Sequence, residues 1–423
     1  MIAPAPSDVE RVAVIGAGVS GLVCAALLRE RFDVTVFEAG DHIGGHTRTI
    51  DLDDPDGAVG VDTGFIVYNE TNYPNFTKLL KRLGVRSRPS DMSLSVRDDR
   101  IGLEYNGSSL RKLFAQRRNI LRPSHHRMIR DILRFFRESP ALLDGPDDTL
   151  TVLEYVRRER YSDAFLDRYL LPIGASLWSC PEGTFLGFPI RFVVEFFHNH
   201  GMLRRAGRPE WRVIDGGSAR YVEALTAGWR DRIRLRTPVA SVERSASSVT
   251  ITTTAGYTHT CDHVVIACHT DQALAMLADP SDAEREILGA IPYSANRTVL
   301  HTDTSLLPRR RRAWASWNYH AGHERDHPAT LTYNMNMLQS LETRETYCVT
   351  LNEQAKIDTD RKLRAFDDGH PVFSAGKADA QKRHDELINA NRSSYCGAYW
   401  GYGFHEDGVR SALRVCGAFG VSL

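Results

Sequence analysis

Arg11-Val-Ala-Val-Ile15, Gly16-Ala17-Gly18-Val19-Ser20-Gly21 and Leu22-Val-Cys-Ala-Ala-Leu-Leu28 run without interruption, and a second apolar run, Val34-Thr-Val-Phe37, ends on Glu38. An apolar strand, a glycine turn, a small-residue helix and an acid closing the next strand make the dinucleotide fingerprint in its full context. Gly16 permits the tight turn, Gly18 lets backbone approach a pyrophosphate, and Gly21 lets helix pack on strand. The amides at Val19 and Ser20 open the helix and meet phosphate charge. Glu38 lies 22 residues after Gly16, where a carboxylate accepts hydrogen bonds from ribose hydroxyls. This order predicts an α/β, Rossmann-like nucleotide domain.

The next stretch, Ala39-Gly40-Asp41-His42-Ile43-Gly44-Gly45-His46-Thr47-Arg48-Thr49, carries a second glycine pair that a nicotinamide site does not need. It resembles the extended FAD signature of the flavin amine-oxidase superfamily, whose loop wraps the pyrophosphate and reaches toward the flavin. That resemblance assigns Ala39, Gly44, Gly45, His46 and Thr47 to the cofactor, and Asp62, Gly64 and Phe65 to its continuation toward the isoalloxazine. Many members place Arg directly after the glycine pair. Here His46 stands there and Arg48 is the nearest arginine, so either faces phosphate.

Bulk properties narrow the class. The chain has 423 residues, 42% hydrophobic, with zero formal charge, which gives no reason to expect a nucleic-acid partner. Its seven cysteines form no CxxC pair, as expected of a reducing compartment without a disulfide framework or metal site. The start, Met1-Ile-Ala-Pro-Ala-Pro-Ser-Asp, has no basic n-region or apolar h-region, and no apolar run suits a membrane span. A cytoplasmic protein is expected. Between Arg111 and Arg137, nine basic residues accompany a single acid, Asp131, and Met128, Ile129, Ile132, Leu133, Phe135 and Phe136 recur at helical spacing. A basic amphipathic helix suits the inner, anionic face of a membrane, and a core helix with a solvated basic face has the same pattern. Both readings stand at this point.

Two later segments read as returns to the nucleotide domain. One is Trp211-Arg-Val-Ile-Asp215-Gly216-Gly217-Ser218 with the strands Ile233–Arg236, Val239–Val242, Val249–Thr252 and His263–Ala267. Superfamily resemblance places the Val239 backbone against adenine and Ala267 beside the pyrophosphate. The other is Ser394–Ala398, the turn Tyr399-Trp400-Gly401-Tyr402-Gly403-Phe404-His405-Glu406-Asp407-Gly408, and a helix over Val409–Phe419. Gly403, Phe404, His405, Glu406, Asp407 and Gly408 are read as closing on the flavin ring, with the helix N-terminus taking negative charge at its N1–C2=O edge. Glu406 and Asp407 also suit plain capping.

Four stretches make the resemblance specific: Gly60–Asn69 with Tyr73–Phe76, Leu177–Ser179 with Phe196–Gly201, Thr332–Gln339, and Cys396–Gly408. Together they resemble a bacterial predicted NAD/FAD-binding subfamily associated with cyclopropane, methyl-branched and furan fatty acid synthesis. That implies a discontinuous FAD domain (1–71, 211–290, 390–423), a substrate domain of helices and an antiparallel sheet (72–210, 291–389), and non-covalent FAD. The first substrate stretch reads as mainly helical; the second contains the strands Arg297–His301, Ala329–Tyr333 and Tyr347–Leu351. The resemblance also implies a hydrophobic or phospholipid acyl substrate and a fatty-acid methyltransferase partner. The chain departs from that pattern at Asn334, usually Trp, and Met337, usually Arg.

Tyr402, Trp400 and His405 are the candidate catalytic residues. The first two would be aromatic walls with Tyr395, and His405 a donor or general base. Core packing explains each of the rings equally well. His198-Asn199-His200 lacks a third metal ligand, and Cys396 sits in a strand unsuited to flavin attachment. No second GxGxxG marks a nicotinamide site. The expected reaction is oxidation or desaturation of a modified fatty acyl chain, with double-bond isomerisation, amine oxidation, or a non-catalytic flavin-bound partner as alternatives.

Overall fold

The computed structural model describes residues 9–145, 150–178, 180, 182–204, 206–321, 330–352, 356–372 and 375–423. The first eight residues, Ser179 and Ala329, each read above from sequence, lie outside the described residues.

Five consecutive apolar positions at the start dictate a strand buried on both faces. Arg11–Ile15 is that strand, and Val12, Ala13 and Val14 are essentially inaccessible. It lies inside a six-stranded sheet in the order Ile233–Arg234, Asp33–Phe37, Arg11–Ile15, His263–Ile266, Ser393–Tyr395, Ile388–Ala390. All neighbours are parallel except the last pair. Near-continuous apolar runs are what a doubly covered parallel sheet requires. One face is covered by helices Val19–Leu28 and His405–Ala418, where Leu22, Val23, Val409, Ala412 and Val415 share one core. The other face packs on the meander Val239–Arg244, Val249–Thr253, Thr258–Cys261 and on helices Thr270–Met276 and Asp282–Gly289.

A seven-stranded sheet runs Lys362–Pro371, Tyr293–His301, Cys348–Leu351, Thr330–Asn334, Trp317–Ala321, Leu94–Asp98, Leu103–Asn106. It is antiparallel except where Trp317–Ala321 meets Leu94–Asp98. Beside it, helices between Pro123 and Asn199 enclose a core rich in Phe, Tyr and Trp.

Several sequence expectations need correction. The stretch 72–210 is not only helical, since it supplies two strands to the seven-stranded sheet. Their polar residues hid them: Ser95 bonds Asn318 at 2.7 Å, and Arg97 pairs with Asp99 at 2.9 Å. Trp211–Ile214 joins Val67–Asn69 and Ser87–Pro89 rather than the nucleotide sheet. The strand from Ile233 stops at Arg234, two residues before Arg236 takes a φ of 49°. The final helix begins at His405, four residues before Val409, because the Asp407 carboxylate accepts the Phe404 amide at 3.1 Å and caps it early. In helix Pro123–Glu138, Met128 and Phe135 are fully buried and Ile132 and Phe136 pack on the core. Its long apolar face is therefore used internally, which removes the reading in which that face lies on a bilayer. No helix among the described residues is long and apolar enough to cross a membrane.

Candidate active site

The turn after the first strand is built by close approaches. Gly16 has φ +106°, and a Cβ there would sit 2.8 Å from the Ala267 carbonyl oxygen. A Cβ on Gly21 would lie 2.0 Å from the Gly16 oxygen, so helix and strand touch backbone to backbone. Ala267 donates to the Ile15 carbonyl at 2.8 Å and thus flanks the same turn. At Gly18 a Cβ would meet nothing within 4 Å, leaving this face open.

The second glycine pair is fastened to the first turn. Gly44 donates to the Ala17 carbonyl at 2.9 Å, and a Cβ on Gly45 would come within 3.0 Å of the Gly18 Cα. Glu38 accepts the Ala17 and Gly40 amides, each at 2.7 Å, which holds its carboxylate at the strand end with lone pairs to spare. Ala39 follows it, and the Thr237 amide donates to the Glu38 carbonyl at 2.8 Å, bringing the start of the Val239 strand alongside. Val239 packs on the cluster containing Ile15 and Phe37.

The C-terminal turn closes on the same place. A Cβ on Gly408 would lie 2.8 Å from Val19 Cγ1 and 2.9 Å from Ser20 Oγ, so the final helix abuts the first. Thr47 Oγ1, Tyr221 OH and His405 Nε2 form a buried triangle with sides of 2.7, 2.9 and 3.0 Å. The His405 ring stacks on Phe65 with centroids 3.4 Å apart, and burial pushes its pKa well below the usual imidazole value. Gly64 is needed beside it, since a Cβ there would lie 2.0 Å from the His46 oxygen.

Glu406 and Asp407 serve caps. Glu406 accepts the Asn75 and Phe76 amides at 3.2 and 3.0 Å, at the start of helix Pro74–Leu83, while Asp407 caps its own helix. Gly403 has φ +93°, and Phe404 stacks on Phe196 with centroids 5.5 Å apart.

His46 and Arg48 separate clearly. Arg48 pairs with buried Asp368 at 2.9 Å and lies 4.0 Å over the Phe366 ring, so its charge ties the loop to strand Lys362–Pro371. His46 Nε2 is buried with no hydrogen-bond partner in the structure. Its ring lies 6.1 Å from His269 and 5.5 Å from His370. Burial, then the neighbouring His46, pushes both of these down to about 4, and burial lowers His46 itself, so the three rings are neutral near pH 7.

The aromatic candidates do not form one cage. Tyr395 donates to Glu284 at 2.5 Å inside the core, and Trp400 stacks on His384 at 3.9 Å in the same cluster. Tyr402 alone joins the aromatic half, 5.6 Å from both Phe192 and Phe196. His200 Nδ1 bonds the Phe196 carbonyl at 2.9 Å, a structural position. Asn334, one of the departures, caps its own short helix by accepting the Met337 amide at 3.2 Å. Sequence reading missed Tyr221, Asp368, His269 and His370, which carry no motif spacing and meet the glycine loops only through the fold.

These residues fit a dinucleotide. The open face at Gly18, the anchored Glu38 and the orphaned His46 nitrogen lie on loops bonded to one another, at the carboxyl ends of parallel strands.

A family model described as flavin-containing amine oxidoreductase matches residues 19–353. The chain belongs to this family. As a member of the flavin-containing amine oxidoreductases it is a flavin-dependent oxidoreductase, and its two-part α/β fold is theirs. A redesigned putrescine oxidase superposes with a TM-score of 0.66 at 15% identity, covering 97% of this chain and 99% of that one. A putative protoporphyrinogen oxidase from Exiguobacterium sp. 255-15 gives 0.65 at 17%, covering 98% of each chain. A CLA-producing fatty acid isomerase from P. acnes gives 0.64 at 14%, covering 98% of this chain and 99% of that one. At such identities the likeness concerns the fold.

Proposed function

We propose that this family member holds FAD non-covalently and oxidises or desaturates a C–H site on an apolar, modified fatty acyl chain. The observation that carries the reading is Tyr402. It stands on the turn before the final helix, and its ring meets Phe192 and Phe196, so that turn gives onto an aromatic wall. Such a wall suits hydrocarbon and offers no buried acid to a cationic amine; Glu195, beside Tyr402, is exposed.

A bound flavin supplies the hydride-accepting chemistry. The chain's own groups position and insulate. Glu38 holds ribose hydroxyls, and the first-turn amides of His405, Glu406 and Asp407 stabilise negative charge. His405, held neutral in its triangle, fixes the 44–47 loop against the final helix and is a positioning residue. Trp400 supports the turn from behind. Tyr402, Phe192 and Phe196 orient an alkyl chain and exclude water. Non-covalent binding is supported by Cys396, which is fully buried in the core that also holds Cys24 and Cys416.

Anaerobic mixing of the purified flavoprotein with phospholipids carrying methyl-branched or cyclopropane chains, and separately with polyamines, tests this. Flavin bleaching by the lipid supports it. Bleaching only by amines, or an isomerised lipid with no acceptor consumed, overturns it. Acid precipitation should release free flavin.

A further inference from the structure

Five of the seven exposed large hydrophobic side chains of the described residues fall between positions 101 and 133: Ile101, Leu110, Ile120, Leu121 and Leu133. Leu110 is 73% and Leu121 85% exposed, values that singly exposed leucines seldom reach together in one segment. Around them stand Arg111, Lys112, Arg117, Arg127 and Arg130, none of which has an ion pair among the described residues. The one acid of this segment, Asp131, is turned inward and accepts from Ser162 Oγ at 2.6 Å. A surface hollow of about 700 Å³ is lined by Arg127, Arg130, Arg134, Arg137 and Arg160. His126 connects hollow and apolar edge: it lines the one and bonds the Ile120 carbonyl at 2.7 Å.

We propose that this face, Leu110 to Leu121 together with the arginine hollow, docks on an anionic phospholipid bilayer. Leu110, Ile120 and Leu121 enter the headgroup boundary, and the hollow takes a lipid phosphate. Uncompensated positive charge and exposed leucines side by side are rewarded together at such an interface. A polyanion in water rewards only the charge. The proposal is independent of the acyl-oxidation reading, because the test measures binding without turnover.

Flotation of the flavin-loaded protein is measured with phosphatidylcholine vesicles and with vesicles that also contain phosphatidylglycerol. Flotation should require the anionic lipid. Arg127→Gln with Arg130→Gln should weaken partitioning about thirty-fold. Leu110→Ser with Leu121→Ser should weaken it about ten-fold or more. Retained flavin absorbance shows that each variant is folded. Failure of the wild type to float, equal flotation with neutral vesicles, or leucine variants that bind normally overturns the proposal. So does tight binding of a soluble polyanion that outcompetes vesicles and ignores the leucines.

Discussion

The buried triangle of Thr47, Tyr221 and His405 yields a non-additive prediction. Each atom has two partners, at 2.7, 2.9 and 3.0 Å. Tyr221→Phe removes one hydroxyl but leaves Thr47 bonded to His405, and the ring keeps its edge contact with Phe76 at 5.2 Å. No group is orphaned, so the cost is one net hydrogen bond, about 1 kcal/mol. Thr47→Val keeps the shape and leaves Tyr221 bonded to His405, again about 1 kcal/mol. The double substitution strands His405 Nε2 on a fully buried ring. An orphaned buried polar group costs roughly 1–3 kcal/mol more, so the double variant should lose roughly 3–5 kcal/mol, beyond the sum of the singles. Urea unfolding of the four proteins, each stripped of flavin, measures the coupling. The same double variant should retain less flavin on purification, because the triangle fixes the 44–47 loop to the final helix. Additive losses within error, or a single variant costing as much as the pair, would refute the reasoning.

Gly21→Ala places a methyl 2.0 Å from the Gly16 oxygen and must part the first helix from its strand. It should cost at least about 1–3 kcal/mol and yield protein nearly free of flavin, read by the absorbance ratio after purification. For Glu284, burial alone would raise the pKa, but its bonds from Arg244 and Tyr395 outweigh this and hold it at about 2, against 4.5 unfolded. The folded value is depressed, so this stability is present above pH 4.5 and is lost as pH falls toward 2. It amounts to about 3 kcal/mol in acid unfolding curves. Glu284→Gln should flatten that acid limb and cost about 3–5 kcal/mol at neutral pH by stranding buried Arg244. Phe192→Ala should raise KM for a lipid substrate with flavin content unchanged; a loss of flavin instead would place Phe192 in the cofactor cradle.

The nucleotide half was legible because its signals are local. An apolar strand, three glycines and an acid within 28 residues fix a turn whose geometry follows from contacts among those same residues. The second glycine pair is readable for the same reason, since Gly44 and Gly45 close back on Ala17 and Gly18. The walls were not. Trp400 and Tyr402 are two positions apart on a turn with no period, and nothing local says that one packs on His384 and the other on Phe196. Arg48 looked like a phosphate ligand until strand Lys362–Pro371 delivered Asp368 to it, 320 residues away. The strand Leu94–Asp98 was masked because its buried Arg97 and Asp98 are tolerable only beside Asp99 and Arg100.

The order of strands in the nucleotide sheet has a consequence for how the protein is made. Arg11–Ile15 leaves the ribosome early, yet its neighbour His263–Ile266 emerges some 250 residues later and Ser393–Tyr395 almost last. The first helix finds its packing partner, His405–Ala418, only at the end of synthesis. The fingerprint is therefore the first motif written and among the last to be assembled. Cofactor capture is a late event, and a chain truncated before position 388 exposes Leu22, Val23 and Leu27 to water. Such fragments should be retained by chaperones as apoprotein.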